Sequence, residues 1–360
     1  MTDPITLLEG ALKVYGPSTR EQAICDYLVE QMTTLGLRAF RDPAGNAVGI
    51  LESPASSPLR ELVLLGHMDT VPGFIEVRRN GGSLYGRGAV DARGPLCAFI
   101  AAAALCGAQE GWRIVVVGAV EEEHATSKGA RFAATQYHPD YCIIGEPSGW
   151  DRVTLGYKGR LLVHYRLSRP MGHTAGQIPS VAESAMAFWN RLHAFATAHN
   201  QGKTRAFDLL TPSLRRIHTG DDAFADSVAM TVGLRVPLGI EIETLKRDLR
   251  PMAGDADLTF ASEEPAYRAE KNTPLVRAFL AGIREHGAQP GFTLKTGTSD
   301  MNVVGPLWQC PIVAYGPGDS NLDHTPDEHI DLDEYLKAID VLTAVLHALT
   351  GTPCRVASDV

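Results

Sequence analysis

Hydrophobic positions follow two rhythms along this chain. In the first half, apolar residues come in short unbroken runs: Leu62–Leu65, Ile114–Val117, Cys142–Ile144 and, much later, Ile312–Tyr315. Runs of this length, rich in Val, Ile and Leu, predict strands buried on both faces, as in a parallel sheet. The predicted strands are Arg38–Asp42, Ala47–Glu52, Glu61–Leu65, Trp112–Val117, Tyr141–Ile144 and Pro311–Tyr315. Between them the spacing turns helical. Ile5, Leu8 and Leu12, then Ile24, Leu28, Met32 and Leu35, predict helix over 3–36, with Gly36 as its stop. Leu96–Cys106 predicts an apolar helix covered by the sheet, and Ser127–Tyr137 a short one. Strands and helices alternating in this way predict an α/β fold with a doubly wound, mostly parallel sheet.

Near Gly156 the rhythm changes. Leu161, Val163, Tyr165 and Leu167 alternate with polar residues, the pattern of an antiparallel strand with one exposed face. A helix over Val181–His199 follows, then strands near Phe207–Leu210, Ser227–Val236 and Leu258–Ala261, with a helix at Ile242–Met252. The order β-α-β-β-α-β predicts a small ferredoxin-like α+β unit. The chain then returns to helix (Thr273–His286), a buried strand and a long final helix, Leu332–Thr350. The simplest division is a main domain, 1–156 and 265–360, interrupted by an inserted domain, 157–264.

Polar residues at the strand ends add chemistry to this frame. Leu62–Leu65 runs into Gly66-His67-Met68-Asp69, Ile114–Val117 into Glu121-Glu122-Glu123, and Cys142–Ile144 into Gly145-Glu146-Pro147. Ile312–Tyr315 leads into a loop that reaches His324, and Asp91 sits in a Gly-rich loop. Taken singly, each has an ordinary reading: a turn Asp, a loop His, a helix cap, a solvated charge run. Jointly they gather at one edge, because ligands of an open α/β sheet bind beyond the carboxyl ends of its strands. Two His with several carboxylates are the donor set of a metal site. A carboxylate between two cations can bridge them, and three consecutive like charges at a buried edge are costly unless cations compensate.

Composition narrows the picture. The chain has 360 residues, 44% hydrophobic and 21% charged, enough for two domains of an ordinary globular protein. A formal charge of −9 argues against general nucleic-acid binding. The apolar stretch Cys97–Cys106 is too short to span a bilayer, so no membrane association is expected. No basic-then-apolar leader opens the chain, so a cytoplasmic location is expected. Six dispersed cysteines, none in a C-x-x-C pair, imply no disulfide framework.

Five motifs occur in one order: Gly66-His67-Met68-Asp69-Thr70-Val71-Pro72, Gly86–Gly94 around Asp91, Glu121-Glu122-Glu123, Gly145-Glu146-Pro147-Ser148, and the late His324. Together they resemble the M20 family of co-catalytic metallopeptidases and deacylases. The resemblance implies two divalent cations, Zn²⁺ with Co²⁺ or Mn²⁺ as alternatives. It implies that His67 and Glu146 each bind one cation, Glu123 and His324 the other, and that Asp91 bridges them. It implies that Asp69 orients His67, that Glu122 is the general base, and that the peptide bond after Asp91 is cis. The inserted domain would be a lid and dimerisation domain, making a homodimer. His173, in Met171-Gly172-His173-Thr174-Ala175-Gly176, would stabilise the oxyanion from the partner subunit. Arg235, Thr298 and Ser299 would bind the substrate's carboxylate.

Within the family, Gly-Tyr-Lys-Gly-Arg (156–160) and Thr-Gly-Thr-Ser-Asp-Met-Asn (296–302) look most similar to the LysW-lysine and LysW-ornithine hydrolases. Those enzymes free lysine or ornithine from the C-terminal glutamate of a small acidic amino-group carrier protein. Lys158, Arg160, Lys203, Arg205, Arg215 and Arg216 are then candidates for a basic groove. Other readings are an acetylornithine deacetylase or succinyl-diaminopimelate desuccinylase-like deacylase, a general dipeptidase, and a scaffold that has lost its metal; the complete ligand set weighs against the last.

Overall fold

A computed structural model describes residues 3–53, 60–173 and 178–351. The chain divides into two compact units: Met1–Gly156 with Ala269–Leu294 and Ser299–Val360, and Tyr157–Arg268 with Lys295–Thr298.

The first unit is built on a mixed sheet. Its strands lie in the order Arg38–Arg41, Ala47–Glu52, Trp112–Ala119, Arg60–His67, Tyr141–Gly145, Ile312–Ala314 and Arg152–Tyr157. The four central strands, from Trp112–Ala119 to Ile312–Ala314, are mutually parallel. Ala47–Glu52 and Arg152–Tyr157, on either side of them, run antiparallel, and Arg38–Arg41 pairs antiparallel with Ala47–Glu52. The unbroken apolar runs have a direct cause. Leu62, Leu64, Ile114 and Val116 join the main core with the helix Arg93–Cys106, whereas Val63, Leu65, Val115 and Val117 lie outside that cluster and are equally buried. Both faces of the sheet are therefore covered. Arg93–Cys106 packs against Pro4–Lys13 and Leu332–Thr350, and the short helix Lys128–Gln136 packs against Asp300–Trp308.

The predicted helix over 3–36 is two helices, Pro4–Lys13 and Gln22–Thr34. Gly16-Pro17 interrupts the periodicity, and a proline restricts the residue before it to extended backbone. The segment after Tyr15 is held instead by Arg93, a buried guanidinium that donates to the carbonyls of Ala11, Val14, Gly16 and Met68. Arg152–Tyr157, Gly291–Lys295, Asp300–Trp308 and a small sheet of Arg78–Asn80, Ser83–Tyr85 and His329–Asp331 were not anticipated.

The second unit is a four-stranded antiparallel sheet, Thr211–Asp221, Ala225–Val236, Gly159–Pro170 and Asp257–Glu264 in spatial order. One face carries Leu161, Val163, Tyr165, Val232 and Leu234, which share a core with Ala185, Phe188 and Leu192 of the helix Val181–His199. That helix starts on a capping box of Ser180 and Glu183. The strand expected near Phe207–Leu210 is a 3₁₀ turn at Ala206–Asp208 followed by a strand that begins at Thr211. Side chains take this segment's backbone groups. Asn200 bonds both the N–H and the carbonyl of Leu210, and Lys158 donates to the carbonyls of Ala206 and Leu209 and, at 3.1 Å, to the Thr211 hydroxyl. Lys158 is thus a buried anchor, not part of an open groove. Among the described residues no helix is long and apolar enough to cross a membrane, and Cys25, Cys97, Cys106, Cys142 and Cys310 form no disulfide.

Candidate metal centre

His67 is the last residue of the strand Arg60–His67 and is 1% exposed. Its Nδ1 lies 3.1 Å from the main-chain carbonyl of Asp69 and 3.5 Å from the Asp69 carboxylate. The carboxylate of Asp69 does more than face the imidazole. It accepts the Ser18 hydroxyl at 2.7 Å and the backbone N–H groups of Glu122 and Glu123, each at 3.1 Å. The neighbouring N–H, of Glu121, donates to Glu21 at 3.1 Å. Three successive amides are therefore held by two buried carboxylates, which fixes the turn of Glu121, whose φ is 59°, and aims Glu122 and Glu123 in different directions.

The other imidazole nitrogen meets the carboxylate cluster. His67 Nε2 lies 3.1 Å from Asp91 Oδ1 and 4.0 Å from both Glu122 Oε2 and Glu146 Oε1. The second oxygen of Asp91 lies 3.0 Å from His324 Nε2, which is itself 2.6 Å from Glu123 Oε1. Asp91 thus presents one oxygen to each histidine. Donor atoms of Asp91, Glu123 and His324 all lie within 4.8 Å of one another. The Asp91–Ala92 peptide is cis.

Charge dominates this cluster. Burial pushes Glu122 well above the usual carboxylate range; His67 opposes that shift, while Glu146, Asp300 and Glu123 add to it. Burial and Asp91 raise Glu146 in the same way, and burial and Asp91 raise Glu123. Burial works against ionised Asp91 too, but its bonds to His324 and His67 outweigh it and hold that carboxyl low. Asp91 and Glu123 push His324 up to about 10. Four carboxylates crowd around two imidazoles, and protons on those groups offset part of the repulsion. Divalent cations would relieve the same repulsion, and a mixed His and carboxylate donor set with a shared Asp fits two of them.

Of the residues predicted from sequence, His67, Asp69, Asp91, Glu122, Glu123, Glu146 and His324 come together. Arg235 and Thr298 meet in the second unit, with Nη1 3.0 Å from the Thr298 hydroxyl. Ser299 caps the helix Asp300–Trp308, its hydroxyl accepting from Met301 N–H. His173 follows the strand Gly159–Pro170 on the second unit and is exposed, while Thr174, Ala175 and Gly176 of its motif lie outside the described residues. Sequence reading missed Glu21 and Glu328, and took Asp300 only as part of the 296–302 motif. Asp300 is a buried carboxylate whose charge reaches Glu122 and Glu146. The one available signal was acidic residues in otherwise apolar or Gly-rich surroundings.

Two histidines and four carboxylates thus meet at the carboxyl edge of the parallel strands at the centre of a mixed sheet, a donor set suited to divalent cations. Residues 63–348 match the family model described as Peptidase family M20/M25/M40, and the chain belongs to that family, whose members hydrolyse amide bonds. It is similar to the [LysW]-lysine hydrolase of Deinococcus radiodurans, 45% identical over 96% of this chain and 96% of that protein. It is also similar to a putative [LysW]-lysine/[LysW]-ornithine hydrolase of Thermococcus kodakarensis, 39% identical over 99% of this chain and 95% of that one. The fold matches a crystal structure of the M20 family metallo-carboxypeptidase Sso-CP2 from Sulfolobus solfataricus, with a TM-score of 0.79 at 18% identity over 97% of this chain and all of that one.

Proposed function

We propose that this chain is a two-cation carboxypeptidase that releases lysine, or ornithine, from the C-terminal glutamate of a small acidic carrier protein, with Zn²⁺ as the metal. The observation that carries the chemistry is Asp91, whose two oxygens face His67 and His324 separately. The substrate comes from the curated relatives, which are named for it and align over nearly their full length. His67, Glu146 and Asp91 would hold one cation, and Glu123, His324 and Asp91 the other. When bound, the pair would polarise the scissile carbonyl and make a water acidic enough to lose its proton near neutral pH.

The protein's own groups do the rest. Glu122 takes the proton from the attacking water as the C–O bond forms. It returns that proton to the nitrogen of the leaving amino acid as the C–N bond breaks. Burial suits it to hold the proton between these steps. The partner subunit's His173 donates to the oxyanion. Arg235 and Thr298 take the carboxylate of the leaving lysine, and the Ser299 cap holds the turn that carries Thr298. The second unit is read as a lid through which two copies of the chain associate.

The test is to load the purified protein with Zn²⁺ and offer lysine-loaded carrier and N-acetylornithine separately, with free amino acid read by mass spectrometry. Lysine released from the carrier is expected. Cleavage of N-acetylornithine alone would reassign the enzyme as a small-molecule deacylase.

A further inference from the structure

Glu328 is completely buried. Its Oε1 accepts three backbone N–H groups, from Gly88 at 3.0 Å, Val90 at 3.0 Å and Asp91 at 3.1 Å. Its Oε2 accepts Arg87 Nη1 at 2.8 Å, and its main-chain carbonyl accepts the N–H of Gly86 at 3.2 Å. The loop that presents Asp91 is thus wrapped around a single carboxylate. Arg87 extends the tie in two directions. Its Nη1 also donates to the carbonyl of Thr325, the residue after His324, at 3.1 Å, and its Nε donates to the carbonyl of Gly73, on the segment that follows His67 and Asp69, at 3.1 Å.

From this we infer that Arg87 and Glu328 form a clasp that positions the metal centre, setting the distance between Asp91 and the two histidines. The inference rests on the two-cation reading above. A bridging carboxylate works only if its two oxygens reach both cations, and four crowded carboxylates repel one another. The loops carrying Asp91, His67 and His324 need a common anchor that does not itself bind metal. Glu328 and Arg87 are positioning residues: they act through the backbone of the ligands' loops. Gly88 admits the arrangement, since its φ is 87° and a Cβ there would lie 2.9 Å from the Thr70 methyl.

Glu328→Gln keeps size but not donor pattern. One face of the carboxamide is a donor, and whichever way it turns, that donor meets either Arg87 or the three amides. Co²⁺ titration followed by visible absorption and calorimetry tests the clasp without relying on turnover. The wild-type protein is expected to take up two Co²⁺. Glu328→Gln is expected to bind them about 10–100-fold more weakly, the range seen when groups supporting a ligand are lost, with a changed absorption spectrum and an unchanged far-ultraviolet dichroism. If Glu328→Gln does not fold, Arg87→Lys carries the same test. It keeps a charge beside Glu328 but loses the fork onto Gly73 and Thr325, and weaker Co²⁺ binding is again expected. Wild-type affinity and spectrum in the folded variant would overturn the clasp while leaving the two-cation reading intact. A wild-type protein that binds no Co²⁺ would overturn both.

Discussion

Glu122 and Glu123 are adjacent and similarly buried, yet the backbone gives them different tasks. Their N–H groups share one carboxylate, Asp69, so the two side chains leave the same turn along different directions. Glu123 reaches His324, whereas Glu122 stays 4.0 Å from His67. Glu122→Gln is therefore expected to retain both cations, measured by elemental analysis, while kcat falls at least about 10²-fold, the lower end for loss of a general base. An active variant would remove Glu122 from that role. Lys158 shows how a single residue misleads when read from sequence. It sits in a motif that suggested a basic groove, but its ammonium is buried against carbonyls of the 206–209 turn. Burial first, and Arg235 second, lower its pKa to about 8, from an ordinary value near 10.5. The sign of the consequence follows. Below about pH 8 the lysine is charged in both folded and unfolded states. Between about 8 and 10.5 the folded state sheds its proton first, so the unfolded state binds more protons and stability gains as pH rises. Comparing the melting temperature of the wild type with that of Lys158→Met across pH 7 to 11 isolates this group. The difference should move in favour of the wild type as pH passes from about 8 upward; a difference independent of pH would show that Lys158 stays charged.

Elements were legible where one physical signal dominated. Val181–His199 and Leu332–Thr350 coincide with their predicted spans, because each has a long helical repeat and a clear polar start. The central strands were legible because both faces are buried, which leaves no polar position to break the run. What was not legible was set by tertiary partners. Nothing local distinguishes Phe207–Leu210 from a strand; Lys158 and Asn200 decide it. Nothing local announces that the loop over 86–91 winds around Glu328, some 237 residues away from Asp91. The residues of the candidate cluster were legible through their place at strand ends and in the Gly-rich loop, whereas the groups packed behind them, Glu21, Arg87 and Glu328, were not. Gly94 lies at the joint of these two classes. It opens the helix Arg93–Cys106, directly after the Asp91 turn, and a Cβ there would stand 2.2 Å from the carbonyl oxygen of Ala89 and 3.0 Å from Ile330. Gly94→Ala must push that backbone aside. The expected cost is about 1–3 kcal/mol, as for overpacking elsewhere, read as a drop of several degrees in thermal melting together with weakened metal uptake. Unchanged melting would mean that the loop yields freely and that Asp91 is not tightly held.

Charge over the whole molecule sets a condition on the proposed substrate. The chain carries a formal charge of −9 at pH 7, and an acidic carrier is repelled by that total. Productive encounters then depend on local positive surface. The candidates named from sequence do not contribute equally. Lys158 is buried, Arg205 is paired with Asp208 at 2.7 Å, and Lys203 bonds His199 at 2.6 Å. Arg215 and Arg216 stand on the exposed edge strand Thr211–Asp221, where a bulge between Leu214 and Arg216 interrupts the ladder, and no salt bridge engages either of them among the described residues. Steering by exposed charge fades over a Debye length, about 10 Å at 0.1 M salt, and long-range attraction changes association by about tenfold or more. For lysine-loaded carrier, kcat/KM is expected to fall steeply from low to high salt while kcat holds. For a small N-acyl amino acid the same salt series should change little. Reversing both charges, Arg215→Glu with Arg216→Glu, should lower kcat/KM for the carrier about tenfold at low salt and make almost no difference at high salt, because screening has already removed what the substitutions take away. A stopped-flow salt series on the two proteins measures this directly. If the reversed variant matches the wild type at low salt, the carrier does not approach over this strand, and the acidic partner must be recognised by close contacts alone.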